Sequence, residues 1–429
     1  MRPQKSLSTI ASPIVAGEQT PRSAHLRARV HPALTVCAAA AILVPAHPSL
    51  QTVFLADGIS AAVICACFAT PVLYAAMSAR LFPPRIVKIL VIFLAYIIWL
   101  LIRSVFSPAL GQSNYFASIR SLLILTPLAL LVALVASTNE RVASRAIFVF
   151  GLLALAHYCF LLLVGGSFDD PGGFRSLSSD ADRRNYQSTS FYFGFAALGM
   201  VLLIFHGRGL AVVLGAVGVL LTIVLMGTIG ARSSPVAVAA SAIWIALSMR
   251  ASRTFRRVLT AVAVGLVVLG CLWVTGVLDS QAIGDQLVVI DRFLVLTEGD
   301  DSSHRIRLFQ SAIEMWLHSP TNFLVGGGVG AFPQFIRESE EGWYPHNFVL
   351  ESLAEGGLVA GVCLGAIGIL FTRRLRSLKI REHTLERTYL FSLAIYAVIA
   401  YQFMGGLQTL WIPTFFVALS LFSTSGQTR

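Results

Sequence analysis

Residues 209–227 read GLAVVLGAVGVLLTIVLMG, an apolar run without one charged side chain. A helix that crosses a bilayer needs about 20 such residues. The run gives way to TIGARSSP (228–235), and a second apolar run follows at 234–249. Apolar run, short polar turn, apolar run describes two helices passing through a membrane in opposite directions. Further runs lie at 33–50, 58–78, 86–103, 119–137, 146–166, 189–206, 257–277, 347–371, 388–404 and 407–423. The expected fold is an all-α polytopic membrane protein of about 12 transmembrane helices, in which every backbone polar group is satisfied inside its own helix.

Composition agrees. Of 429 residues, 56% are hydrophobic and 12% are charged, against about 25% charged in soluble proteins. Mean hydropathy is +0.76. A disordered chain, a disulfide scaffold and an ordinary soluble enzyme are excluded. Cys37, Cys65, Cys67, Cys159, Cys271 and Cys363 all sit within apolar runs, where cysteine behaves as a small hydrophobe. Cys65 and Cys67 are too close for a metal-binding CxxC pair, and the histidines show no metal spacing. No disulfide, metal or cofactor is expected.

The net charge of +11 matters through its distribution, and no nucleic-acid partner is read from it. Lys and Arg beside span ends stay in the cytoplasm. Arg2, Lys5, Arg22, Arg27 and Arg29 place the N-terminus inside. Alternation then places inside the loops holding Arg80 and Arg85, Arg141 and Arg145, Arg208, Arg250 to Arg257, and Arg373 to Arg387. The segment 278–346 falls outside, with ten acidic residues, four arginines and no lysine. The organisation expected is a disordered basic cytoplasmic tail (1–32), nine spans (33–277), a large outer loop carrying short surface helices (278–346), and three spans with a short cytoplasmic tail (347–429).

Charged side chains at membrane depth and a long loop in a chain of short loops both point to function. They meet at the outer face. From Ser303, the apolar positions Ile306, Phe309, Ile313, Trp316 and Leu317 recur at helical spacing, with Ser302 or Ser303 as N-cap. This helix is expected at the membrane surface. Arg305 starts it, and a cation there suits the helix dipole only if an anionic ligand is bound; a solvated arginine is the plain alternative. The glycines Gly326, Gly327, Gly328 and Gly330 allow either close approach of a ligand or a packing turn. His346 enters the next span behind Pro345; a lone histidine is usually structural, but an imidazole at this outer boundary can take a proton from a hydroxyl near neutral pH. Asn347 can cap that helix or orient the imidazole. Glu351 and Glu355, inside the span, each require a polar partner. Arg232 lies in the short turn after 227, on the same side, with a fork of donors suited to phosphate. Arg183 and Arg184, in the outer loop 167–188, either add to that or are solvated.

These segments together resemble the O-antigen ligase and polymerase superfamily of bacterial inner-membrane proteins. The resemblance is carried by Gly230-Ala-Arg232-Ser-Ser, Arg305 to Phe309, Pro320 through Phe332, and His346-Asn347 through Leu358, over about residues 225–365. The first motif departs from the SerArgGly common in the superfamily. The resemblance implies metal-independent transfer of a glycan from undecaprenyl pyrophosphate to an acceptor hydroxyl at the periplasmic face. His346 is then the base, with Arg232 and Arg305 on the pyrophosphate and Arg184, Asn347, Gly328 and Gly330 contacting substrate. The acceptor is a glycan or lipid A–core, the solvent is the bilayer, and other polysaccharide-assembly proteins are candidate partners. A ligase and a repeat-unit polymerase both fit. A glycan flippase or transporter is the reading from another class, and the absence of two similar halves counts against it.

Overall fold

In the computed structural model, residues 31–46, 84–110, 112–164, 186–229, 233–248, 301–336, 344–381 and 384–423 are described. The expected spans at 58–78 and 257–277, the N-terminal tail and the first part of the outer loop lie outside them.

The regular structure of the described residues is all helix. In chain order the helices are α1 (Pro32–Ala46), α2 (Pro84–Val105), α3 (Ser113–Arg120), α4 (Thr126–Ala136), α5 (Glu140–Val164), α6 (Tyr186–His206), α7 (Leu210–Ile229), α8 (Ser233–Ser248), α9 (Asp301–Leu317), α10 (Pro320–Val325), α11 (Phe332–Phe335), α12 (Phe348–Arg381), α13 (Leu385–Met404) and α14 (Trp411–Phe422). A π-helical turn, Ser121–Leu125, joins α3 to α4, and 3₁₀ turns at Ser137–Asn139 and Leu407–Thr409 join α4 to α5 and α13 to α14. Five segments are long and apolar enough to cross a membrane: Pro84–Val105, Tyr115–Phe160, Thr189–His206, Leu210–Gly227 and Phe348–Ser377. The runs read separately at 119–137 and 146–166 fall in one apolar segment, Tyr115–Phe160. Three shorter apolar helices add to these.

The core forms where α6, α13 and α14 meet. Phe191, Phe193, Phe195, Tyr396, Phe415 and Phe416 are fully enclosed. Phe191 stacks on Tyr396 at 5.0 Å, and the Tyr396 hydroxyl donates to the Phe191 carbonyl at 3.0 Å. Each such tyrosine adds apolar area and directs its one polar atom to a partner. Likewise the Tyr192 hydroxyl donates to Leu43 O and the Tyr389 hydroxyl to Phe195 O. By contrast α7 leaves Leu210, Val213, Leu214, Val217 and Leu221 exposed, as suits a lipid-facing helix.

Helix α12 runs the height of the bundle. One end begins at Phe348, beside His346. The other carries Arg373, Arg374 and Arg376. At that far end, Arg374 donates to Ser423 O, and the partly buried pair Arg387 and Glu140 ties α13 to α5 at 2.8 Å.

Candidate functional site

Helix α12 starts on an Asn cap. Asn347 Oδ1 accepts from the N–H groups of Val349 (3.1 Å) and Leu350 (3.0 Å). Of the two roles open to Asn347, the structure shows the cap. The residue before it, His346, has φ 53°, and among the described residues no other side-chain-bearing residue has positive φ. A left-handed conformation in a residue other than glycine costs free energy and occurs at sites where the surroundings impose it. Here Pro345 is buried on one side, and the imidazole packs on the Tyr344 ring at 4.1 Å.

Tyr344 leads to the second element of the site, the C-terminus of α13. Its hydroxyl donates to Met404 O at 3.4 Å, and Arg305 Nη1 donates to Phe403 O at 3.4 Å. Arg305 and the Tyr344–His346 pair thus reach neighbouring carbonyls of one helix end, where the backbone dipole is negative. Ser233 closes the group from α8, its hydroxyl 3.8 Å from Met404 Sδ. Beyond the helix end, Leu407 N–H donates to Glu351 Oε2 at 2.9 Å. A Cβ on Gly406 would meet that same carboxylate oxygen and the Tyr344 ring, so glycine is what lets these groups close together.

The glycine-rich turn is the third element, and its amides are spent on the protein. Gly327 N–H donates to Ala354 O (2.8 Å) and Gly328 N–H to Glu355 O (3.0 Å). Gly330 N–H donates to Glu355 Oε2 (2.8 Å) and Phe332 N–H to Glu355 Oε1 (3.3 Å). The partner that Glu355 requires is therefore this turn. In exchange α12 breaks at Gly357 (φ 67°, ψ −165°), which frees the Ala354 and Glu355 carbonyls to face the turn. The fit is mutual, since a Cβ on Gly326 would strike the Glu355 carbonyl and one on Gly357 would strike Gly326 N and Leu324 O. The turn thus packs on α12, the packing arrangement that the sequence left open for these glycines.

Two further groups hold the turn, Arg103 from α2 and Ser107 from just past its end. Arg103 Nη2 donates to Gly326 O (2.9 Å), and Ser107 Oγ donates to Val329 O (2.6 Å). Trp99 Nε1 donates to Gly356 O at 2.7 Å. Sequence reading did not single out Arg103 or the stretch 403–407. Arg103 carried a usable signal, because it ends a span that the charge alternation brings to the outer face.

Helix α9 exists, with two corrections. It starts at Asp301, so Ser302 and Ser303 lie in its first turn and are not caps. The side buried against the protein is Leu308, Ala312 and Met315, while Ile306, Ile313 and Leu317 are exposed. At 100° per residue, the exposed apolar residues form an arc beside a polar one of Arg307, Gln310 and Glu314.

The structure thus brings Arg305, Tyr344 and His346 to one helix end, a few residues from the glycine turn. Arg184 and Arg232 lie outside the described residues, although Ser233, which follows Arg232 in sequence, is part of the group. Among the described residues no three His, Cys, Asp or Glu side chains are placed to hold a metal ion.

Residues 210–365 match the family model described as O-antigen ligase. The matched stretch begins with the first residue of α7 and ends in α12 beyond the Gly357 break, so it contains α9, the glycine turn and His346. No curated protein and no solved structure matches the chain.

Proposed function

We propose, from the O-antigen ligase domain at 210–365, that this chain transfers a glycan from undecaprenyl pyrophosphate to an acceptor hydroxyl. The observation that carries the reading is the meeting of Arg305 with the Tyr344–His346 pair at the end of α13. It brings an imidazole and a guanidinium to one helix end, the two kinds of group that displacement of a pyrophosphate from a sugar requires. The acceptor oxygen bonds to the anomeric carbon as the bond to the pyrophosphate oxygen breaks, with inversion. His346 takes the hydroxyl proton. Arg305, together with Arg232, meets the charge that develops on the leaving group. Asn347 holds the helix start that sets the imidazole's position, and Arg184 adds to the cationic rim. Charge is handled by side chains, so transfer is expected to persist in a chelator. The site faces the periplasm of a bacterial inner membrane, and both chain ends are cytoplasmic.

The test is transfer by the purified protein from a lipid-linked glycan. His346→Ala is expected to lower the rate by about 10²–10⁴-fold. Arg305→Ala and Arg232→Ala each weaken donor use strongly, while Arg337→Ala does little. Wild-type rates in His346→Ala overturn the base assignment, and equal effects of all three arginines overturn the clamp. The acceptor is lipid A–core in the ligase reading and a second lipid-linked repeat unit in the polymerase reading. A deletion strain separates them: full-length polymer left on the carrier marks a ligase, and single repeat units mark a polymerase. Units held on the cytoplasmic face mark a transporter instead.

A further inference from the structure

Helix α12 carries two carboxyl groups four residues apart, and the protein uses them unequally. Glu355 spends both oxygens on backbone N–H groups, those of Gly330 and Phe332. Glu351 is 3% exposed, and its Oε2 accepts from Leu407 N–H at 2.9 Å. Among the described residues, no donor reaches its other oxygen, Oε1. The hydroxyl beside it on the helix is engaged elsewhere, since Ser352 Oγ donates to Phe348 O and meets the Tyr96 hydroxyl. A carboxyl group this deeply buried, with one oxygen left over, calls for a further partner.

Its surroundings say which. A Cβ on Gly406 would touch both Glu351 Oε2 and the Tyr344 ring, so carboxyl and ring are neighbours across that glycine. The ring in turn carries the His346 imidazole. Along residues 403–407 the groups follow in order: Arg305 on Phe403 O, Tyr344 with His346 on Met404 O, and Glu351 on Leu407 N–H. The support of the imidazole stands between a cation and a carboxyl.

We infer that Glu351 binds a hydroxyl group of the acceptor sugar and so fixes the side from which the acceptor meets His346. This rests on the reading of the chain as a glycan transferase and deepens it. A carboxyl group bonds hydroxyls and has no positive charge to offer a pyrophosphate. The two ends of the site therefore sort the two substrates, phosphate oxygens toward Arg305 and sugar hydroxyls toward Glu351. Inversion asks for that separation, because the acceptor must approach the anomeric carbon opposite the departing oxygen.

The test uses the purified full-length protein, a lipid-linked glycan as donor and two soluble acceptors: core oligosaccharide freed of lipid A, and a repeat unit capped as a methyl glycoside. In Glu351→Gln the amide oxygen still accepts from Leu407 N–H, which turns amide N–H donors to the sugar hydroxyl. The KM of the acceptor that the wild type uses is expected to rise about tenfold with loss of one charge-assisted hydrogen bond. The donor KM, inhibition by inorganic pyrophosphate and the melting temperature should keep their wild-type values. In the wild type, acceptors lacking single hydroxyls should include one that binds about tenfold more weakly, and Glu351→Gln should not weaken that one further. The deoxy series keeps the test independent of how Glu351→Gln folds. An unchanged acceptor KM in a folded Glu351→Gln overturns the proposal. So does a raised donor KM or weakened pyrophosphate inhibition, either of which puts the carboxyl on the donor. Deoxy acceptors that all bind alike overturn it as well. Binding of both acceptors is also measured without donor. Transfer by a wild type whose acceptor binding ignores Glu351 overturns this inference alone. Acceptor binding that depends on Glu351, without any transfer, overturns the catalytic reading and leaves the sugar site.

Discussion

His346 does two separable things, and each has its own chemistry. Its backbone occupies φ 53°, which glycine accepts freely and alanine does not. Its ring is the proposed base. His346→Gly is therefore expected to keep the wild-type melting temperature in detergent while losing transfer. Added imidazole should restore part of the rate, and no rescue across a concentration series counts against a base at this position. Glu355 is the opposite case, a residue whose work is structural. It receives two buried N–H groups, from Gly330 and Phe332. Glu355→Ala strands both, at about 1–3 kcal/mol each, so a lowered melting temperature is expected before any effect on chemistry. His346 and Asn347 were legible in sequence because a cap and its neighbour are local. The partner of Glu355 was not, because it lies 25 residues away and is met only through the break in α12.

At the scale of elements, the sequence marked α9 but not its orientation. Apolar residues occupy more than half of its circumference, so periodicity alone selected the broad arc of Ile306, Phe309, Ile313, Trp316 and Leu317. The protein instead buries the narrow one, because Ala312 and Met315 are shaped to meet Ala354 and Phe332 closely. Ile306, Ile313 and Leu317 of the broad arc are left exposed. Leu308→Ala is expected to destabilise the detergent-solubilised protein by about 2–5 kcal/mol, and Ile313→Ala far less. Comparable losses from both would show that the apolar arc has a protein partner. The glycine turn shows a related limit. Its glycines were legible as a place of close approach, while what approaches, the α12 backbone at Ala354 to Gly357, was not.

For the whole molecule, the helix positions were the most legible part, since hydrophobic run length is set by bilayer thickness. Wherever the structure is described, expected runs coincide with helices. Orientation rests on the arginines, with Arg373 to Arg376 and the Glu140–Arg387 pair at one end of the bundle and His346 at the other. In a cysteine-free background, Glu314→Cys is expected to react with a membrane-impermeant thiol reagent added to spheroplasts, and Ser377→Cys only after the membrane is opened. The reverse pattern places the site in the cytoplasm.

The fastening of α2 to the glycine turn has a consequence for how the protein is made. Arg103 and Trp99 find their acceptors, Gly326 O and Gly356 O, 223 and 257 residues later in the chain. A nascent chain is synthesised from its N-terminus at about 5–20 residues per second. Helix α2 must therefore wait in the bilayer, with a guanidinium and an indole N–H unmet, until the ribosome has produced the turn and the start of α12. Interruption within that interval leaves an inserted fragment whose α2 donors lack their acceptors, a mark by which membrane quality control can distinguish an unfinished copy from a finished one.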